Sequence, residues 1–378
     1  MVGLITAVNG PRTDVSDVVT YTYRMADEAT CATAPTTCPY RKGDLWKTTN
    51  GLGQIVEIVR ADGAGRTKSM VDATGVVTDI EYNTRGWATA RKVRGTNNAS
   101  ESDDRITRFW YFPFGAIKRV LQPDGMEATF SYDAAHRLTT VGDNRGNTLR
   151  YTLNGAGDRV AETVVDTGGA IRRSLTRTYD ALGQLQAQID AYGRTTTFEY
   201  DDEGLPTATT DALLRRTETA FDPLGRLKRS IEDVGGIAAQ TQVQYDALDR
   251  TTRITDPKGL DTVYTYNGFD DMVQLQSPDT GTTTSSYDAA GNRIAATDAR
   301  GVPMATQYDA LNRSVAVGYP GADEDVFFDY DAPTADCAAG ETFLSGRLAR
   351  MGDGSGSTSY CCNRFGDLVR NGASLYSH

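Results

Sequence analysis

Histidine is almost missing: His136 and His378 are the two in a chain of 378 residues. A Ser-His-Asp or Cys-His site would have to be built on one of them, the first lying in a turn and the second being the last residue. No run approaches the roughly 18 apolar residues that a membrane-crossing helix needs. The start, Met1-Val2-Gly3-Leu4-Ile5-Thr6-Ala7, has neither a basic n-region nor a sustained apolar stretch, so it does not read as a secretory leader. Positive charge is in deficit, with 39 Lys and Arg against 50 Asp and Glu and a formal charge of −11. That balance argues against nucleic acid as the main partner, which would need a clustered basic excess. No 3.6-residue apolar stripe competes for a helix. Five cysteines do not settle the redox compartment. Cys31 and Cys38 share one insertion and are the candidate disulfide, bridged or as free thiols. Cys337, Cys361 and Cys362 leave an odd count.

What the chain does have is glycine (38) and tyrosine (19), in a repeat. An aromatic followed by Asp or Asn returns at Tyr132, Tyr179, Tyr200, Phe221, Tyr245, Tyr266, Tyr287 and Tyr308. From Tyr179 onward the steps are 21, 21, 24, 21, 21 and 21 residues. Leu153-Asn154 keeps the phase after Tyr132, and Tyr82, Tyr111, Tyr330 and Cys362 are degenerate copies. A period of this size, copied many times, marks a repeat array.

Each anchor opens a turn. Four residues after the aromatic stand Gly183, Gly204, Gly225, Gly291, Asp249, Asp270, Asn312 and His136, the residue types that best tolerate positive φ. The acid three places before, as at Asp180, Asp201 and Asp222, suits the opening of a type I turn because its carboxylate caps backbone N–H groups. The expectation is a tight hairpin with a bulge at the glycine. A second turn comes halfway through the repeat, at Asp143–Gly146, Asp190–Gly193, Asp256–Gly259 and Asp298–Gly301. The six or seven residues left between turns, rich in Thr, Val, Tyr and Phe, are one strand of roughly 20 Å. About thirty such strands at ~4.8 Å spacing cannot stay flat, so the array is expected to curl into a ring or a spiral.

The string Tyr-x-Tyr-Asp-x-x-Gly-Arg-Leu followed by Asp-x-x-Gly resembles the RHS/YD-repeat family. Phe198–Gly204, Phe221–Leu227 and Tyr287–Arg293 carry it best. The resemblance covers essentially the whole chain, read as one array over 1–378. Its best-conforming repeats lie at 130–315, and hairpin-tip insertions interrupt it at 24–43 and 332–346; no separate effector domain is visible. It implies an all-β fold of tandem β-hairpins in a curved, spiralling antiparallel sheet, part of a hollow β-shell. In function it implies a structural, non-enzymatic wall around the C-terminal toxic cargo of a longer parent, at the cell surface or outside the cell. Its partners would be further repeats and that toxin domain. Similar shells in the family serve adhesion, so a carbohydrate-binding module that holds glycans on its aromatics is the alternative. The family's core-terminating segment has no match. The chain starts inside repeat-like sequence and stops at Ser374–His378 where a hairpin should open, so a fragment or a truncated frame is expected.

The remaining constellations read more simply as structure. Regularly spaced Asp residues sit at turn openings, which leaves a glycosidase-like acid pair with little support. Asp201-Asp202-Glu203 and Asp323-Glu324-Asp325 lack the alternating spacing of a calcium loop. Cys361 and Cys362 are neighbours in a strand, point to opposite faces and make a poor zinc pair. Cys362 takes an anchor-tyrosine slot as a small packed residue, and Gly352–Ser357 follows no phosphate-binding pattern. No cofactor is implied, and the tyrosine series reads first as packing along one face.

Overall fold

The structure, a computed structural model, describes residues 3–35, 37–96 and 100–375. Among the described residues there are thirty-one strands and two short 3-10 turns, Ala29–Ala32 and Ala322–Glu324. The fold is all-β. No helix among them is long and apolar enough to cross a membrane.

Two compact units result. The middle unit holds Arg108–Tyr266 and Gln274–Gly281. The two-ended unit holds Met1–Thr107, Asn267–Val273 and Thr282–His378. In both, strands pair antiparallel with their neighbours in sequence, as local hairpins require. Two kinds of pair alternate. Across a second turn the register is regular, as in Ala187–Thr197, Gln188–Thr196 and Ile189–Thr195. Across a Tyr-Asp turn it slips by one: Tyr200 faces Pro206 while Glu199 faces Ala208. The same slip accompanies Tyr179, Phe221, Tyr245, Tyr287 and Tyr308. The glycine carries the expected bulge, with Gly204 at φ 86°, its N–H on the Asp201 carbonyl and Asp201 N–H on the Leu205 carbonyl. A second bulge lies beside the anchor aromatic, one step outside the turn. Each such bulge adds local right-handed twist.

The strands show alternation without a deep interior. In Thr195–Tyr200 the side chains of Thr196, Phe198 and Tyr200 are half-buried while Thr197 and Glu199 are exposed. The largest side chains fully removed from solvent are Leu344 and Cys361, both in the two-ended unit. Its small core is Leu344, Ala349 and Cys362, with Cys337 packed against it. It forms where the insertion at 332–346 folds back and Phe343 N–H donates to the Cys362 carbonyl at 3.2 Å. So little apolar burial means that the backbone ladder and the side-chain ties between strands must supply much of the order.

Candidate functional site

Each Tyr-Asp turn is locked by its acid. The Asp222 backbone N–H donates to the Arg226 carbonyl and Gly225 N–H donates to the Asp222 carbonyl, both at 2.9 Å. Asp222 Oδ1 accepts from the N–H groups of Leu224 (2.9 Å) and Arg226 (3.0 Å), and its Oδ2 takes Arg226 Nε at 2.8 Å. The Arg226 side chain, working against some burial and helped by those backbone donors, holds the Asp222 carboxyl below its ordinary value. Asp180 makes the same backbone-capping bonds, to Leu182 and Gln184. Asp201 caps Leu205 N–H. Gly183, Gly204, Gly225, Gly291, Asp249, Asp270, Asn312 and His136 all stand at φ between 60° and 86°. At His136 the imidazole also stacks on Phe114, with centroids 3.9 Å apart.

The anchor tyrosines reach backward. Tyr200 Oη donates to the Leu185 carbonyl at 3.0 Å, Tyr245 to Leu227 at 2.9 Å, Tyr266 to Thr251 at 2.9 Å and Tyr287 to Met272 at 2.8 Å. Tyr132, Tyr179 and Tyr308 do the same to Ile117, Arg159 and Arg293. The acceptor is always the first residue of the strand leaving the previous Tyr-Asp turn. Phe221 fills the position without a hydroxyl. The turn arginines reach forward: Arg226 lies 4.7 Å from the Tyr245 ring and donates to the Asp246 carbonyl (3.2 Å) and Asp249 Oδ1 (2.6 Å). Arg313 does likewise with Tyr330 and Asp331. One turn thus ties to the next through a guanidinium and a phenol.

The RHS repeat family matches residues 113–148, 179–216 and 245–282. The chain carries RHS repeats. The toxin protein Tse5 of Pseudomonas aeruginosa is 33% identical over 214 residues, which is 56% of this chain and 14% of that protein. The probable deoxyribonuclease RhsB of Dickeya dadantii is 29% identical over 140 residues, 36% of this chain and 9% of that protein. The chain therefore spans a small part of either relative. Among solved structures, TcdB2-TccC3 without its hypervariable C-terminal region is similar over 96% of this chain and 22% of that one, at 13% identity and a TM-score of 0.49. A Photorhabdus luminescens Tc holotoxin pore is similar over 95% and 23%, at 13% identity and a TM-score of 0.45.

Within the two-ended unit the RHS ties are completed from far away. At Asp288 the turn closes on Asn292 where Asp222 has Arg226, and a guanidinium is brought alongside by Arg12, which is itself bonded to both oxygens of Asp14. Arg12 Nε stands 3.5 Å from Asp288 Oδ2, and its terminal nitrogens donate to the carbonyls of Asp309 (2.5 Å) and Tyr308 (3.3 Å), 297 and 296 positions away. Its side chain is 2% exposed. At Asn363–Asp367 the substitute is Arg105, whose guanidinium spans both Asp367 oxygens and lies 4.3 Å from the Phe365 ring. The bonds from Arg105 and Asn363 hold the Asp367 carboxyl at about 2. Neither arginine stands out in the sequence; the signal was the loss of the usual arginine at Asn292 and Asp367.

Both hairpin-tip insertions keep the RHS turn at their base. Gly43 N–H donates to the Arg24 carbonyl and Asp331 N–H to the Arg347 carbonyl, while Tyr23 faces Leu45 and Tyr330 faces Leu348. Cys31 and Cys38 are bonded to each other, and Cys337 is bonded to Cys361, a pairing that the sequence left open. Cys362 is a buried free thiol. The first insertion shapes a cleft of about 490 Å³ between Tyr21, Tyr23, Tyr40 and Trp46. The Arg24 guanidinium sits 4.0 Å from the Tyr40 ring and 4.5 Å from that of Trp46, so it fastens the insertion to the strands. Among the described residues no three His, Cys, Asp or Glu side chains converge as a metal site would require. Asp202 and Glu203 are exposed at a turn, and Asp323 and Glu324 lie in the 3-10 turn. His378 lies outside the described residues.

Proposed function

We infer that the chain is a structural, non-catalytic stretch of RHS wall whose longer parent encloses and shields a toxic cargo. The stitching supports this reading most directly. Carboxylates, guanidinium groups and phenols that an enzyme would aim at a substrate are spent on neighbouring repeats. The toxin and nuclease names of the two relatives point the same way. Shielding needs only continuity: where each backbone N–H and C=O is bonded to the next strand, another polypeptide has no ladder to enter. The partners are then further RHS repeats and a C-terminal toxin domain of the parent, acting outside the cell or at its surface, with no cofactor. Glycan stacking is the weaker reading, because a guanidinium already lies over the rings of Tyr82, Tyr245, Tyr266 and Tyr330. The test is limited trypsin digestion of the parent with Arg12 and Arg105 both replaced by Asp. Cargo cleavage is expected to rise about tenfold or more as the opened population grows. Equal cleavage in altered and unaltered protein would sink the reading.

A further inference from the structure

Two turns of the two-ended unit share an uncommon grammar. Asn363-Arg-Phe-Gly-Asp367 and Asn267-Gly-Phe-Asp-Asp271 both open on Asn, carry Phe two places later and close on Asp. Their internal bonds coincide. Asn Oδ1 accepts from the Phe N–H at 2.9 and 2.8 Å, and from the closing Asp N–H at 3.0 Å in both. Asn Nδ2 donates to the Asp Oδ2 at 2.9 and 2.8 Å. The usual order is reversed, so the carboxylate sits where a turn arginine normally stands.

At Asn363–Asp367 this arrangement holds Arg105, paired with Asp367 and stacked on Phe365. At Asn267–Asp271 the matching Phe269 ring is 89% exposed. It lines a groove of about 800 Å³ with Asp271, Tyr287, Asp288 and Pro11. We propose that this groove is a docking site for an arginine carried on an extended segment of another polypeptide, its guanidinium stacked on Phe269 and paired with Asp271. Guanidinium suits the site better than ammonium, because a flat cation can lie on a ring and meet a carboxylate edge-on at once. The formal charge of −11 favours a basic partner. The groove also prolongs an existing interface. Pro11 at its rim precedes Arg12, which occupies the neighbouring seat between Asp288 and Asp309. The proposal holds whether or not the parent carries a cargo.

The probe is a capped peptide of residues 102–109, Ser-Asp-Asp-Arg-Ile-Thr-Arg-Phe, titrated against the whole chain by saturation-transfer NMR. Single-site binding with a dissociation constant on the order of 0.1–1 mM is expected for one stacked, paired side chain. Phe269→Ala and Asp271→Asn should each weaken it about tenfold, as should Arg105→Gln with Arg108→Gln in the peptide. The exposure of Phe269 leaves the fold of its variant intact, which circular dichroism checks. No binding to the unaltered chain, a change under about twofold in either variant, or equal binding of the glutamine peptide would overturn the proposal.

Discussion

At the tip Asp211-Ala-Leu-Leu214 a leucine does the backbone work of a glycine. Leu214 has φ 63° and is 84% exposed, and its N–H donates to the Asp211 carbonyl at 2.9 Å. Gly193 does the same in the preceding second turn, at φ 76° and 3.0 Å from the Asp190 carbonyl. An L side chain in that region costs roughly 1–2 kcal/mol, and a glycine gives back ~0.5–1 kcal/mol as extra freedom of the unfolded chain. Leu214→Gly is therefore expected to stabilise its hairpin by roughly 0.5–1 kcal/mol. Gly193→Ala, whose added Cβ meets nothing within 4 Å, should destabilise its own by a similar amount. Amide exchange in Pro206–Thr210 and Arg216–Phe221 should slow about threefold for the first change and quicken in the strands flanking Gly193 for the second. Faster exchange in Leu214→Gly would mean that the leucine has an unseen partner.

The hairpin is the unit in which the RHS signature acts. Tyr266→Phe keeps the ring under Arg250 and removes the bond to the Thr251 carbonyl. A hydrogen bond of this kind is worth ~1 kcal/mol net, so exchange in Thr251–Thr255 and Asp261–Tyr266 should quicken about fivefold. Phe221→Tyr offers the converse, a hydroxyl supplied to an aromatic anchor that lacks it. Unchanged exchange in Tyr266→Phe would leave the tyrosine as ring packing alone. Strand length, turn position and positive φ at Gly183 or His136 are legible in the sequence because each is set within five consecutive residues. The bulge beside each aromatic is not, since Tyr and Leu both suit a strand and only the ladder shows where the register slips. The phenol and guanidinium ties need a knowledge of which strand lies alongside, which residue types alone do not carry. Cys337–Cys361 is hidden for the same reason: the fold of the second insertion brings together residues 24 positions apart.

At the scale of the whole molecule, the two-ended unit is held by charges that meet only after the chain has come back on itself. Arg105 and Asp367 are 262 positions apart, and Arg364 donates to the Gly95 carbonyl across 269. Closing so long a loop costs conformational entropy that grows slowly with length, so a few charge-assisted bonds can balance it. Their pH dependence follows from the carboxylate. Asp367 is depressed in the folded state to about 2, from an ordinary 3.8. A depressed carboxyl stabilises the fold in full above its unfolded value and loses that contribution as the pH falls through its folded one. Asp367→Asn keeps the shape and removes the charge. Its thermal midpoint should lie below that of the unaltered chain at pH 7 and pH 5, and the gap should shrink between pH 4 and about 2, where the native side chain is itself protonated. Arg105→Gln should show the same convergence, and the double change should add little to either single one. A gap that stays constant down to pH 2 would mean that the charge of Asp367 has no part in closure, and would leave Arg105 as a surface contact.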